Sequence, residues 1–240
     1  MHRFANPLRY QRIADAVLPW AAGLGVVLGI LGLYLALVVA PPDYQQGEAY
    51  RIMYVHVPAA WMALMVYAMM AAASVVALVW RHPLAEVAAR AAAPIGATFT
   101  AIALFTGSLW GKPMWGTFWV WDARLTSVLI LFFLYLGYIA LHDAFEEPSR
   151  GARAAAILCL VGSVNLPIIK FSVDWWNTLH QPSSILRMEG PAIHSSMLWP
   201  LLVMWLAFLC YFVAVHILRT RAELTARKIR NLRLSTDPAA

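Results

Sequence analysis

Charge is scarce in this chain. Only 12% of its 240 residues are Asp, Glu, Lys or Arg, 62% are hydrophobic, and the mean hydropathy is +0.66. Soluble domains carry about 25% charged residues, so an ordinary soluble globule is excluded and a polytopic membrane protein is expected. Cysteine is nearly absent. Cys159 and Cys210 both fall in apolar runs and form neither CxxC nor CxxCH, which excludes a disulfide framework and a thiolate zinc site and leaves two small buried hydrophobes. There is no GxGxxG, no nucleotide-binding loop, no clear internal repeat and no separate soluble stretch. Nothing in the chain is equipped to hydrolyse ATP.

What is present is long apolar runs. A spanning helix needs about 20 mostly apolar residues, and six segments qualify: Ala16–Ala40, Val55–Trp80, Ala88–Trp110, Leu125–Leu141, Ala152–Ile169 and Ser196–Leu218. The first follows a basic start (Arg3, Arg9, Arg12). It is too long for a signal-peptide core and lacks a small-residue cleavage site, so it reads as an uncleaved span. Pro94 and Pro167 lie inside spans and are expected to kink them, which a membrane bundle tolerates where neighbours satisfy the freed carbonyls. The fold class expected is therefore an all-α integral membrane protein of six transmembrane helices. Residues 1–218 form the membrane domain and 219–240 a cytoplasmic tail.

The net charge of +6 follows topology rather than a nucleic-acid surface, and no nucleic-acid partner is expected. One side of the six-span arrangement collects 13 Lys and Arg, from Arg9 and Arg12 through Arg81, Arg90, Arg150 and Arg153 to the tail. The other collects five: Arg51, Lys112, Arg124, Lys170 and Arg187. The richer side is cytoplasmic by the positive-inside rule, so both termini lie inside.

The outer side gathers the chemistry. Residues 108–126, between the third and fourth spans, place Trp110, Trp115, Trp119 and Trp121 beside Asp122 and Arg124. Trp at helix ends is usually an interfacial belt, but a belt spreads over many ends. Four indoles in one connection suit a large, flat, partly polar ligand. Trp175 and Trp176, in the connection after the fifth span, either complete that surface or anchor the chain at the interface. His56, at the mouth of the second span, and His180, after the fifth, emerge on the same side, with His194 as a competitor. Such a histidine is either a capping residue or a ligand. Two of them flanking an aromatic surface suggest haem, whose iron takes axial ligands on both faces. Lys112, Arg124 and Arg187 are the cations available to propionates, Arg best of all because its planar fork matches a carboxylate. Asp122 is placed to cap the fourth helix, to orient a histidine, or to hold Arg124.

These residues carry a resemblance. WGTFWVWDARLT at 115–126 resembles the tryptophan-rich WWD signature of haem-handling membrane proteins. YRIMYVHVPAAW at 50–61, GSLWGKPMWG at 107–116 and NLPIIKFSVDWWNTLHQ at 165–181 resemble its CcmC-type members, the haem exporter C proteins of cytochrome c maturation. The likeness runs from about Tyr44 to Gln181, and beyond it Arg187 and His194 have no counterpart in the family pattern. The resemblance implies a function: binding haem b without a covalent bond at the periplasmic face of the inner membrane, and presenting it to the haem chaperone CcmE. CcmE then becomes covalently attached to it. It implies His56 and His180 as axial iron ligands, with Trp115, Trp119, Trp121 and Asp122 as the signature core. It implies a complex with the ATPase CcmA, the membrane subunit CcmB and the small membrane protein CcmD, all among membrane lipids. Three rivals are a haem-translocating subunit of an ABC transporter, an electron-transfer cytochrome b, and a purely structural subunit. The first favours polar groups near mid-membrane, where only Thr98, Thr100, Asn165 and Lys170 are modest candidates. The second class typically places paired histidines inside the bundle, not at span ends.

Overall fold

The computed structural model describes residues 6–181, 184–185, 187–188 and 190–236. Arg3 with the other residues before Asn6, and residues 237–240 of the tail, which entered the sequence reading, lie outside them. Among the described residues six helical units are long and apolar enough to cross a membrane, as the hydropathy predicts, and no strand forms. In chain order the helices are α1 (Pro7–Tyr34), α2 (Met53–Trp80), α3 (Pro83–Trp115), α4 (Ala123–Asp143), α5 (Pro148–Gly162), α6 (Asn165–Trp175) and α7 (Ser195–Thr236). A π turn, Leu35–Val39, extends α1, and a 3-10 turn, Glu48–Ile52, leads into α2.

The helix ends follow local chemistry. Asn6 caps α1 by accepting from the Leu8 amide at 2.9 Å, and Asp122 caps α4 by accepting from the Leu125 amide at 2.8 Å. Each satisfies an amide that the first turn leaves orphaned. Gly116, at φ +75°, closes α3 in the left-handed conformation that favours glycine. Helix α3 therefore continues five residues past the expected end at Trp110, and the connection to α4 is only residues 116–122. The tail is likewise helical: α7 runs unbroken from the last span to Thr236.

The fifth span is the clearest departure. It is two helices, α5 and α6, broken at Ser163–Val164 rather than kinked. Pro167 is the physical reason. It has no amide proton, and its ring meets the carbonyl four residues back, at Ser163. Around the break Ser163 Oγ donates to Leu160 O at 2.6 Å, and Asn165 Nδ2 donates to Ser127 O of α4 at 2.8 Å. Pro94 leaves α3 continuous. Nearby, His216 Nε2 donates to Ala88 O (2.9 Å) and Arg219 Nε to Ala91 O (3.1 Å), so α7 supplies donors to this stretch of α3.

Helix α3 is the most buried unit and α1 the most peripheral, packed mainly on α7. The core lies where α2, α3, α4 and α5 meet, around Met62, Val66, Tyr67, Met70, Leu131, Tyr135 and Cys159. Tyr135 lies over Gly96, where an added Cβ would come within 2.2 Å of its ring, and its hydroxyl donates to Ala63 O at 2.7 Å. That single contact ties α2, α3 and α4 together. Cys159 is buried as expected, whereas Cys210 is half-buried against Gly25 of α1.

The two ends of the bundle differ chemically. At one, ion pairs link four helices: Arg90 with Asp143 (2.9 Å) and with Glu223 (3.4 Å), Arg227 with Glu86, and Arg221 with Asp15 (2.6 Å). At the other gather the start of α2, the ends of α3 and α6, and the starts of α4 and α7. This is the end that carries His56 and His180.

Candidate functional site

The first turn of α2 carries His56 against one face of α3. Ala103, Thr106, Gly107 and Trp110 follow the helical repeat of three and four residues, so they share that face. His56 Nδ1 lies 3.0 Å from Ala103 O and 3.1 Å from Thr106 Oγ1. A carbonyl only accepts, so Nδ1 carries the proton. The Thr106 hydroxyl sends its own proton to Ile102 O at 2.6 Å, and therefore also accepts from His56. Nε2 then holds the lone pair, and it makes no hydrogen bond among the described residues. Gly107 allows this approach, since an added Cβ there would lie 2.9 Å from the His56 ring. Trp110 meets the imidazole edge to face at 5.7 Å, and its Nε1 donates to Gln46 Oε1 at 2.9 Å.

His180 is held in the 176–194 connection. Its backbone amide donates to Thr178 Oγ1 at 2.9 Å. Its Nδ1 faces Asp122 Oδ2 at 3.6 Å, with Thr178 Oγ1 at 3.5 Å. The carboxylate favours the tautomer with the proton at Nδ1, although at 3.6 Å it makes no hydrogen bond to it, and Nε2 has no partner among the described residues. Burial holds the His180 pKa below the ordinary imidazole value. The Arg124 guanidinium pushes the same way, and Asp122 opposes both. The ring is therefore neutral near pH 7. The indole of Trp115 packs against it at 5.0 Å. Trp110, against His56, and Trp115, against His180, stand five residues apart at the end of α3, so one helix end meets both imidazoles.

Asp122 thus caps α4 through Oδ1, as expected, and its Oδ2 faces His180 without a hydrogen bond. It does not hold Arg124. That side chain turns to α6 instead, with Nε donating to Ser172 Oγ (3.2 Å) and Nη2 reaching Ile169 O and Lys170 O (both 3.3 Å). Arg124 therefore locks α4 to α6 beside the site.

The tryptophans do not form one flat surface. Trp110 and Trp115 sit on the last turns of α3, one against each histidine. Trp119 and Trp121, in the short connection, pack edge to face at 5.5 Å. Trp121 is largely exposed, and Trp119 Nε1 is buried with no hydrogen-bond partner among the described residues. Trp175 belongs to the end of α6. It stacks on Phe171 and meets Trp176 edge to face, so that pair makes its ring contacts apart from Trp119 and Trp121. Lys112 donates to Gly116 O at 3.0 Å and lies 5.3 Å from the Phe118 ring. His194 accepts from the Ser196 amide at 3.3 Å, at the start of α7.

Ala103, Thr106, Gly107, Gln46, Thr178 and Ser172 escaped the sequence reading. For the α3 set the only signal is the shared helical face ending in Trp110.

Six helical units long and apolar enough to cross a membrane, with two histidines and an indole cluster at one end, define a multi-pass membrane protein. The chain belongs to the Heme exporter protein C family (CcmC), whose model matches residues 1–235. It is 59% identical over 230 residues to Heme exporter protein C of Bradyrhizobium diazoefficiens, covering 96% of this chain and 87% of that one. It is 52% identical over 224 residues to the protein of the same name from Haemophilus influenzae, covering 93% and 91%. A ccmC-like mitochondrial protein of Marchantia polymorpha is 56% identical over 194 residues, covering 81% of this chain and 82% of its own length.

Proposed function

We propose that this protein binds haem b between His56 and His180 and hands it to the chaperone CcmE for covalent attachment during maturation of c-type cytochromes. The site faces the periplasm from the inner membrane, and CcmA, CcmB and CcmD complete the complex. Residues 1–218 are the haem-handling domain and 219–240 its cytoplasmic extension. The observation that carries this reading is the setting of the two rings: His56 Nδ1 is held by Ala103 O and Thr106 Oγ1, His180 Nδ1 is turned to the Asp122 carboxylate at 3.6 Å, and neither Nε2 has a hydrogen-bond partner among the described residues. Ligating histidines usually anchor their second nitrogen in this way. Two imidazoles are too few for a bare structural metal ion, which takes about four ligands, and suit an iron whose other four positions a macrocycle fills. Trp119 Nε1, three residues before Asp122 in the chain, is a buried donor with no partner among the described residues. Orientation rests on the excess of Lys and Arg at the ion-paired end.

Transport of haem through the bundle is less well supported. Thr98 Oγ1 donates to Pro94 O, Thr100 Oγ1 to Gly96 O, and Asn165 Nδ2 to Ser127 O. These three polar groups are spent on backbone carbonyls.

The test is transfer. Haem-loaded protein is mixed with purified CcmE, and haem that stays on CcmE through denaturing electrophoresis is measured. Wild type should load CcmE, and His56→Ala and His180→Ala should not. Normal loading by both variants would contradict the reading.

A further inference from the structure

The two imidazoles are held by partners of different chemical kind. His56 donates from Nδ1 to a carbonyl and a hydroxyl, both neutral. His180 faces a carboxylate. Asp122 has a side chain only 8% exposed, its Oδ1 is committed to the Leu125 amide, and Oδ2, 3.6 Å from His180 Nδ1, makes no hydrogen bond among the described residues, so its charge is turned to that ring unspent. We infer that Asp122 makes His180 the firm iron ligand, and that His56 is the ligand that gives way when haem is handed on. This rests on the haem reading above and adds the order of ligand release to it.

The argument is one of donor strength. A carboxylate at Nδ1 draws the proton toward itself and raises the electron density at Nε2, strengthening the bond to iron. Partners of this kind change metal affinity by about 10- to 100-fold. A neutral carbonyl acts in the same sense but more weakly, because charge-assisted hydrogen bonds are roughly twice as strong as neutral ones. Burial strengthens the difference, since a local field is poorly screened there. At 3.6 Å the Asp122 contact is long for a hydrogen bond. Iron at Nε2 acidifies Nδ1–H, and that favours a closer approach. Rigidity argues the opposite order. His56 stands on a helix wedged against Gly107, while His180 stands in an irregular connection. Backbone placement fixes where a ligand sits; the strength of its donor pair governs how long it holds. Asp122 is therefore a positioning residue for the stronger bond, and the wedged His56 would be the exchangeable ligand.

The experiment uses the purified full chain reconstituted with iron protoporphyrin IX. Haem retained through gel filtration is read together with the visible spectrum. His56→Gly should keep about tenfold more haem than His180→Gly, with a five-coordinate spectrum that imidazole restores to six-coordinate. Asp122→Asn keeps the capping oxygen and should lower retention about tenfold, while Thr106→Val should cost less than about threefold. Equal retention by the two glycine variants, or the reverse order, overturns the inference, as does wild-type retention in Asp122→Asn. If neither glycine variant changes the spectrum, ligation by these histidines is itself wrong and the inference falls with it.

Discussion

His56 reaches 47 residues along the chain to give its Nδ1 proton to the carbonyl of Ala103, 3.0 Å away. That contact turns a histidine at a helix end into an imidazole with a defined tautomer. It also places the requirement on α3, whose backbone must come close enough to offer the carbonyl.

Gly107 is where that closeness is visible. An alanine there would set its Cβ 2.9 Å from His56 Cε1. Gly→Ala in a helix interior ordinarily gains about 0.5–1 kcal/mol. Here the gain is offset by displacement of the ring, which can turn aside but then loses its aim. Gly107→Ala should leave stability within about 1 kcal/mol of wild type and lower haem retention about tenfold. Gly29 on α1 has open space around it, so Gly29→Ala should leave retention unchanged. Thermal unfolding and gel filtration of the two loaded variants separate these outcomes.

Gly96 makes the opposite case. Its neighbour is a fully buried Tyr135 ring, and the overlap with an added Cβ is severe at 2.2 Å. Tyr135 is also tethered through its hydroxyl to Ala63 O. Gly96→Ala should cost about 1–3 kcal/mol or more by overpacking. Tyr135→Phe keeps the ring and loses one hydrogen bond, about 0.5–1.5 kcal/mol, plus the cost of a carbonyl left short of a partner. Unfolding midpoints in detergent would rank the two. A Gly96→Ala protein as stable as wild type would show that α3 and α4 pack less closely than described.

How much of this was legible in the sequence differs by level. The six spans follow from hydropathy, because a run of apolar residues in lipid has only the helix available to it. Their ends do not. Gly111, Pro113 and the indoles of 110–115 read as a loop, yet the helix stops only at the left-handed Gly116. Pro167 reads as a kink but breaks the span: the carbonyl it leaves, Ser163 O, accepts from Leu166 N instead, and Asn165 ties the break to Ser127 O of α4. His56, His180 and Asp122 stood out by residue type, and the structure sets His180 against Asp122 at the same end of the bundle as His56. Arg124 was expected at Asp122 or a propionate, and its grip on α6 depends on a packing arrangement that no local pattern encodes. Thr106 and Thr178 were invisible for the same reason: they matter through what folds against them.

The pH response of the site follows from His180. Burial holds its pKa below the ordinary imidazole value of about 6.5. A histidine whose folded pKa is depressed contributes stability above its unfolded pKa and loses it as pH falls through the folded one. Only the neutral ring offers Nε2 to iron. Haem retention should therefore hold constant from pH 8 to about 6.5 and decline below it. A visible-absorbance titration checks this, and a decline centred above pH 7 would contradict a buried, neutral His180.

The most direct test is the visible and magnetic circular dichroism spectrum of the purified haem-bound protein beside its His56→Ala and His180→Ala variants. The account predicts a low-spin, six-coordinate iron with two nitrogen ligands in wild type, five-coordinate or lost haem in each single variant, and no bound haem in the double variant. A six-coordinate spectrum that survives both substitutions unchanged would show that the iron is held elsewhere.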